Sequence, residues 1–307
     1  MKTRLALPFQ IALLLLLLAP GVLLMLSPGL IAQENEQPYF FVQVADPQFG
    51  FFSGRSDSFE QETVNFEFTI ASINRLHPAF VVAAGDLINN DGNPAQVAEY
   101  QRIISKLDPS IRLYNAPGNH DIGNEPSPEQ LALYRQNFGS DYYSFRYQDF
   151  YGIVVNSSLI AAPGKVQEDA DKQEAWLTTE LEKAKVSGAK HIVLFQHYPY
   201  FLQQPDEPDQ YFNLPLERRT RILKKLKDAG VSHVFAGHLH RNSGGTDGNL
   251  EMVTTGPVGR PLGADPSGMR IVTVRSTGIT HTYYGLGSIP VTLQSNARRG
   301  GAARGGP

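Results

Sequence analysis

The sequence contains no cysteine. Disulfides, thiolate metal sites, a cysteine nucleophile and a lipidated N-terminal cysteine are therefore all excluded. Any metal must be held by nitrogen and oxygen donors. A basic excess is also missing: 27 Lys and Arg face 30 Asp and Glu, for a net charge of −3. That balance argues against a general nucleic-acid-binding protein, and no specific nucleic-acid binding is expected. Disorder is excluded as well, because 41% of the 307 residues are apolar and only 19% are charged, the proportions of a folded chain.

The two ends stand apart from the rest. Lys2 and Arg4 are followed by no charged residue until Glu34, across the apolar stretch from Ile11 to Ala19 and a second from Val22 to Leu26. A positive start, an apolar middle and a small residue near Ala32 read residues 1–32 as an export signal. The alternative is an uncleaved N-terminal membrane anchor, since the charge-free run is long enough to span a bilayer. Either reading places the body outside the cytoplasm, periplasmic or extracellular, with membrane contact only through this segment. Residues 295–307, rich in Gly and Arg, have almost nothing to bury and read as a disordered tail.

Between the ends, short apolar runs alternate with amphipathic ones, the pattern of an α/β domain over residues 38–288. Strands are expected at Tyr39–Ala45, Ala79–Ala84, Ile111–Asn115, His191–Gln196 and Ser232–Ala236. Helices are expected at Phe59–Arg75, Ala95–Leu107, Pro128–Phe138, Lys172–Val186 and Pro215–Ala229. Tyr142–Tyr147 and Tyr151–Asn156 read as a hairpin, and three antiparallel strands follow at Glu251–Thr255, Met269–Arg275 and Ile279–Tyr284. Neither a repeat nor an internal linker interrupts this span, so one domain is the simplest account.

Each of the five central strands runs into oxygen or imidazole donors: Asp46-Pro-Gln48, Gly85-Asp86, Gly118-Asn-His-Asp121, His197 and Gly237-His-Leu-His240. In α/β folds the carboxyl edge of the sheet is where ligand sites are built. Taken singly, Asp-x-Gln and Gly-Asp are ordinary turn chemistry. Gly-His-x-His is more telling, because period two puts both imidazoles on one side of an extended segment. Jointly, Asp46, Gln48, Asp86, Asn119, His197, His238 and His240 exceed the four donors of a closed structural zinc site. Seven donors around a shared carboxylate suit two divalent ions, with Mn, Fe, Zn or Mg as candidates. His120 is then a titratable group beside the donors without an evident place among them. His77, His191, His233 and His281 fall outside these motifs and read as surface or packing residues.

This ordered set resembles the calcineurin-like metallophosphoesterase signature. A nearer likeness, to a branch of calcineurin-like phosphoesterase domain-containing serine/threonine phosphatases, rests on Asp-Pro-Gln-Phe-Gly at 46–50, Gly-Asn-His-Asp-Ile-Gly-Asn at 118–124, Tyr-Phe-Asn-Leu at 211–214, His-Arg-Asn-x-Gly-Gly-Thr at 240–246 and Asp265-Pro-x-Gly268. The resemblance implies a four-layer α-β-β-α sandwich with two metals at the sheet edge. It implies Asp46, Gln48 and His240 on the first metal, Asn119, His197 and His238 on the second, and Asp86 as bridge. It also implies that Asn119 and His120 contact the substrate phosphate and that His120 assists departure of the alcohol. Most of the family has His where this chain has Gln48, an amide oxygen and a weaker donor.

The expected activity is hydrolysis of phosphomonoesters, on small molecules or on phosphoserine and phosphothreonine of proteins, by a metal-activated hydroxide. A phosphodiesterase or nucleotidase on the same centre is the second reading, and an exported binding module without turnover the third. Arg241, just after His240, is a candidate phosphate contact through bidentate hydrogen bonds; as a surface arginine opening a loop it would need no role. Asn124, Tyr198 and Tyr211 are candidates for the pocket wall. Pro205–Asp209 reads as a flap or a surface excursion, Gly244-Gly245 as a tight turn before a strand, and Trp176 as helix core.

Overall fold

Phe41 shows how the layers are assembled. In a strand, successive side chains point to opposite faces, and β1 (Tyr39–Val44) uses both. Phe41 turns to one side, with its ring 4.8 Å from Phe80, 5.7 Å from Phe195 and 5.8 Å from Phe235. Val42 and Val44 turn to the other, against Phe66, Ile70 and Ile73. The computed structural model describes residues 37–293 apart from Ser56, so the expectations for residues 1–32 and 295–307 lie outside the described residues.

The elements in chain order are β1, α1 (Glu60–Leu76), β2 (Phe80–Ala84), α2 (Pro94–Ile104), β3 (Arg112–Ala116), α3 (Asn119–Ile122), α4 (Pro128–Phe138), β4 (Tyr143–Tyr147), β5 (Phe150–Val154), α5 (Ser157–Ala161), α6 (Gln167–Val186), β6 (His191–Phe195), α7 (Leu216–Asp228), β7 (Val231–Ala236), β8 (Ser243–Asp247), β9 (Leu250–Thr254), β10 (Gly268–Arg275) and β11 (Gly278–Gly285). One sheet has the order β11-β10-β1-β2-β3 and the other β4-β5-β6-β7-β9-β8. β1, β2 and β3 are mutually parallel, as are β5, β6, β7 and β9.

Three apolar layers hold these sheets. Phe41, Phe80, Phe150, Phe195 and Phe235 lie between the sheets. The outer face of the first sheet is covered by α1 and α2 through Phe66, Ile70, Val97 and Tyr100. The outer face of the second is covered by α6 and α7 through Leu177, Leu181, Ile222 and Leu226. Helix, sheet, sheet and helix make the four-layer sandwich. Phe41→Ala would open a cavity at its centre, costing about 3–5 kcal/mol.

Local sequence explains the helix starts. Asn93 accepts the N–H groups of Ala95 and Gln96 with Pro94 at the first helical position. Ser127 and Gln130 cap α4 reciprocally, a pattern that satisfies two otherwise orphan donors. Several expected boundaries move. β5 ends at Val154 because Asn156 caps α5 by accepting the Ser158 N–H. α6 begins at Gln167, five residues before the expected start. Gly244-Gly245 is no turn: it lies within edge strand β8, paired with Met252 and Val253. A strand of Ser, Gly, Gly, Thr and Asp has no apolar alternation to betray it. Trp176 is only half-buried, with its ring 4.9 Å from Tyr142.

Candidate metal centre

The parallel strands of both sheets deliver their carboxyl ends to one edge, and backbone bonds tie those ends together. Asp46 N–H donates to Gly85 O at 3.1 Å and Gln48 N–H to Asp86 O at 3.0 Å, joining the loops after β1 and β2. Gly237 N–H donates to His197 O at 3.0 Å, joining those after β6 and β7. The two sheets meet where His238 N–H reaches the Asp46 carboxylate at 3.2 Å.

Seven non-glycine residues among those described have positive φ, and five of them are Asp46 (50°), Gln48 (42°), Asp86 (50°), His238 (70°) and His240 (55°). Left-handed backbone is unfavourable for side chains with a Cβ, and such strain concentrates at functional sites. Close approach adds a further demand. A Cβ on Gly237 would stand 2.7 Å from Oδ2 of Asp46, and one on Gly118 would collide with the Asp86 carboxylate.

Two donor groups result. Asp46, Asp86 and His240 form one and Asp86, His197 and His238 the other, with the donor atoms of each group within 4.8 Å of one another. Asp86 is common to both. His197 Nε2 lies 3.2 Å from Asp86 Oδ2 and 3.0 Å from Asn119 Oδ1, and His240 Nε2 lies 3.4 Å from Asp46 Oδ1. Gln48 is fully buried; its Nε2 donates to Asn89 Oδ1 at 3.1 Å, while its Oε1 has no hydrogen-bond partner among the described residues. A buried acceptor left without a donor costs about 1–3 kcal/mol, and a cation beside it removes that cost.

Each imidazole is set by a backbone carbonyl. His197 Nδ1 is 2.9 Å from Ala84 O, His238 Nε2 is 3.1 Å from Tyr211 O, and His240 Nδ1 is 2.6 Å from Arg260 O. A ring N–H bonded to a carbonyl fixes the tautomer and leaves the other nitrogen for a metal. The nitrogen and oxygen donors, the orphaned amide oxygen and the oriented rings together fit two divalent ions.

Burial and neighbouring charges compete at these groups. Burial pushes the Asp46 carboxyl well above the ordinary range, with His197 opposing and Asp86 adding. Burial would raise Asp86 too, but the positive charge of His197 and then His120 holds it below the usual carboxylate range. For His197, burial works toward the neutral ring, yet Asp86 lifts it to about 9. Burial and the charge of His197 push His238 down to about 3, and burial pushes His240 down to about 4. The last two are therefore neutral near pH 7, the form that binds metal.

His120 sits beside the donors, half-buried. Its N–H donates to Asp86 Oδ1 at 2.9 Å and its ring Nδ1 lies 2.8 Å from Asn89 O. Asn119 donates through Nδ2 to Asn124 Oδ1 at 2.9 Å, and Tyr198 OH reaches the same oxygen at 3.3 Å. The Tyr211 ring lies 5.1 Å from His238. Arg241 is exposed directly after His240. The Pro205–Asp209 loop is a braced segment leading to Tyr211, since Glu207 accepts the N–H groups of Leu202, Gln203 and Gln204. Away from the centre, His191 is buried against Arg275 O, and His233 and His281 flank Glu251.

Some contributors escape sequence reasoning. Asp121, inside Gly-Asn-His-Asp, buries its carboxylate to accept Gly118 N–H at 2.7 Å and Ile88 N–H at 3.0 Å, and burial followed by Asp86 raises it to about 7. Its place in the motif was the available signal. Ser157 Oγ accepts His197 N–H at 3.2 Å and Tyr198 N–H at 2.9 Å, and nothing in Asn-Ser-Ser marks it.

Comparison with known proteins agrees with this geometry. The sequence profile described as calcineurin-like phosphoesterase matches residues 32–242. The serine/threonine-protein phosphatase CPPED1 of Homo sapiens is 38% identical over 283 residues, covering 87% of this chain and 90% of its own. That of Danio rerio is 35% identical over 275 residues, covering 84% and 89%. Among solved structures, the purple acid phosphatase PPD1 from yellow lupin (Lupinus luteus) seeds superposes with a TM-score of 0.62 at 13% identity, over 82% of this chain and 52% of its own. A dimetal phosphatase from Danio rerio gives 0.54 at 16% identity, over 80% and 99%; likenesses this remote speak for the fold alone. With donors from both sheets gathered around one shared carboxylate, and relatives matched along most of the chain, the protein belongs to the calcineurin-like phosphoesterase family of phosphoric ester hydrolases that use two divalent metal ions.

Proposed function

We propose that the chain is a phosphomonoesterase acting on phosphoserine and phosphothreonine, with Asp46, Gln48 and His240 holding one metal, Asn119, His197 and His238 the other, and Asp86 between them. The observation that carries this reading is Asp86, the one residue common to both donor groups. The relatives named as serine/threonine-protein phosphatases support the substrate class. When bound, the two ions supply charge neutralisation for the phosphate oxygens and acidify the attacking water.

The chain's own residues supply the rest. His120, with Nδ1 against Asn89 O, keeps Nε2 as the ring atom that gives a proton to the departing ester oxygen. Asn119, held by Asn124, presents its amide to the phosphoryl group. Arg241 extends from the last donor loop toward solvent and meets the phosphate as it enters. The site works outside the cytoplasm on this reading, which rests on the uncharged run between Arg4 and Glu34.

The test is turnover of nitrophenyl phosphate, bis-nitrophenyl phosphate and a phosphoserine peptide by protein loaded in turn with Mn, Fe, Zn and Mg. The reading expects higher kcat/KM on the monoester and the peptide. Turnover of the diester alone would overturn it.

A further inference from the structure

One arginine at the mouth of the site is braced on both sides and has no acid to pair with among the described residues. The segment before it is bound to β1's end, where Val258 N–H donates to Ala45 O at 2.8 Å and Gly259 N–H to Asp46 O at 3.0 Å. Arg260 O then takes the His240 ring at 2.6 Å, and Leu262 N–H donates to His240 O at 3.0 Å. The backbone of Arg260 is thus held against Asp46 and His240. Its exposed guanidinium lies over Phe51, 5.5 Å from the ring centroid, and Nη1 donates to Phe51 O at 3.3 Å.

Phe51 is itself fixed. The buried Glu62 carboxylate accepts Gly50 N–H at 3.1 Å and Phe52 N–H at 2.7 Å, clamping the residues on either side. The ring stands 5.0 Å from His240 and 6.3 Å from His120. Arg102 and Arg135 spend their charge on carboxylates, whereas Arg260 forms no such ion pair among the described residues. A cation held on a ring has already lost much of its side-chain freedom, so an anion that meets it loses less entropy on binding.

We propose that Arg260, seated on Phe51, is an anion subsite for the alcohol portion of the substrate. It selects phosphomonoesters with a second negative group next to the ester, namely phosphoserine or phosphothreonine flanked by acidic residues. The assignment to the alcohol portion rests on the reading above, in which His120 serves the leaving oxygen, because the Phe51 ring that carries Arg260 stands 6.3 Å from the His120 ring.

The experiment compares two phosphoserine peptides of equal length, one flanked by aspartates and one by alanines, on metal-loaded full-length protein and on Arg260→Ala. A charge-assisted contact of this kind predicts a preference of about tenfold in kcat/KM for the acidic peptide, expressed mainly in KM. In Arg260→Ala the ratio should fall close to one. Equilibrium binding of the matching phosphonate peptides, followed by fluorescence anisotropy, reads the same ratio without turnover. An unchanged ratio in the variant, or no preference in the parent protein, overturns the subsite. Preferential, Arg260-dependent phosphonate binding with no hydrolysis of any monoester would sink the phosphatase reading and leave the subsite standing.

Discussion

The N–H of His120 donates to Oδ1 of Asp86 at 2.9 Å, which ties the residue read as the acid to the carboxylate shared by both donor groups. Asp86→Asn keeps an oxygen for that bond and removes the charge. We expect metal content to fall below two per chain and kcat/KM to fall at least ~10²-fold, since one metal's share of charge stabilisation is several kcal/mol. Elemental analysis alongside the rate decides the matter. Two bound metals and full activity in this variant would contradict the role of Asp86 as the shared ligand.

His120→Ala should lower turnover by ~10²–10⁴-fold while metal content stays unchanged, the scale of general acid catalysis. The loss should depend on the leaving group: small for nitrophenyl phosphate, whose oxygen departs readily as an anion, and large for a phosphoserine peptide. An equal loss on both substrates, or loss of metal, would give His120 a different role.

Gly118→Ala tests packing beneath the site. The added methyl would collide with the side chain and backbone of Asp86, an overpacking that costs about 1–3 kcal/mol. Calorimetry should show Tm lowered by several degrees, with weaker metal retention on dialysis. A variant with the parent Tm and metal content would mean that the neighbouring loop yields freely.

Glu251 sets a pH dependence remote from the metals. Hydrogen bonds from His233 and then His281 hold its carboxyl below the ordinary value of 4.5. The folded protein therefore binds the Glu251 proton less readily than the unfolded chain, so this contribution is present above pH 4.5 and fades as pH falls below it. With metals removed by chelation, the Tm of the parent should drop more steeply below that pH than the Tm of Glu251→Gln. Parallel curves for the two proteins would refute the linkage.

Much of the architecture was legible because apolar runs and strand-end donors coincide. Tyr39 to Val44 leads to Asp46 and His191 to Phe195 leads to His197, and each run is long enough to mark a buried strand. β8 was hidden, because Ser-Gly-Gly-Thr-Asp carries no alternation. Glu62 was hidden for another reason: a glutamate in the first turn of an amphipathic helix looks like surface charge, and its buried contact with the 50–52 loop is purely tertiary. The carbonyls of Ala84, Tyr211 and Arg260 that orient the three imidazoles leave no trace in residue identity, since every residue has one.

The chain's own order of residues determined which chemistry was available: with no thiol, the donors had to be carboxylate, amide and imidazole, and their positions after apolar runs put them at strand ends. What tertiary structure alone decided was mutual distance and orientation. Asp46 and His238 are 192 positions apart, and they meet only because the two sheets stack face to face through Phe41 and its neighbours. Stacking is a property of the whole aromatic interlayer, so no local pattern could have specified which nitrogen of each ring turns inward or that Arg260 would come to rest on Phe51.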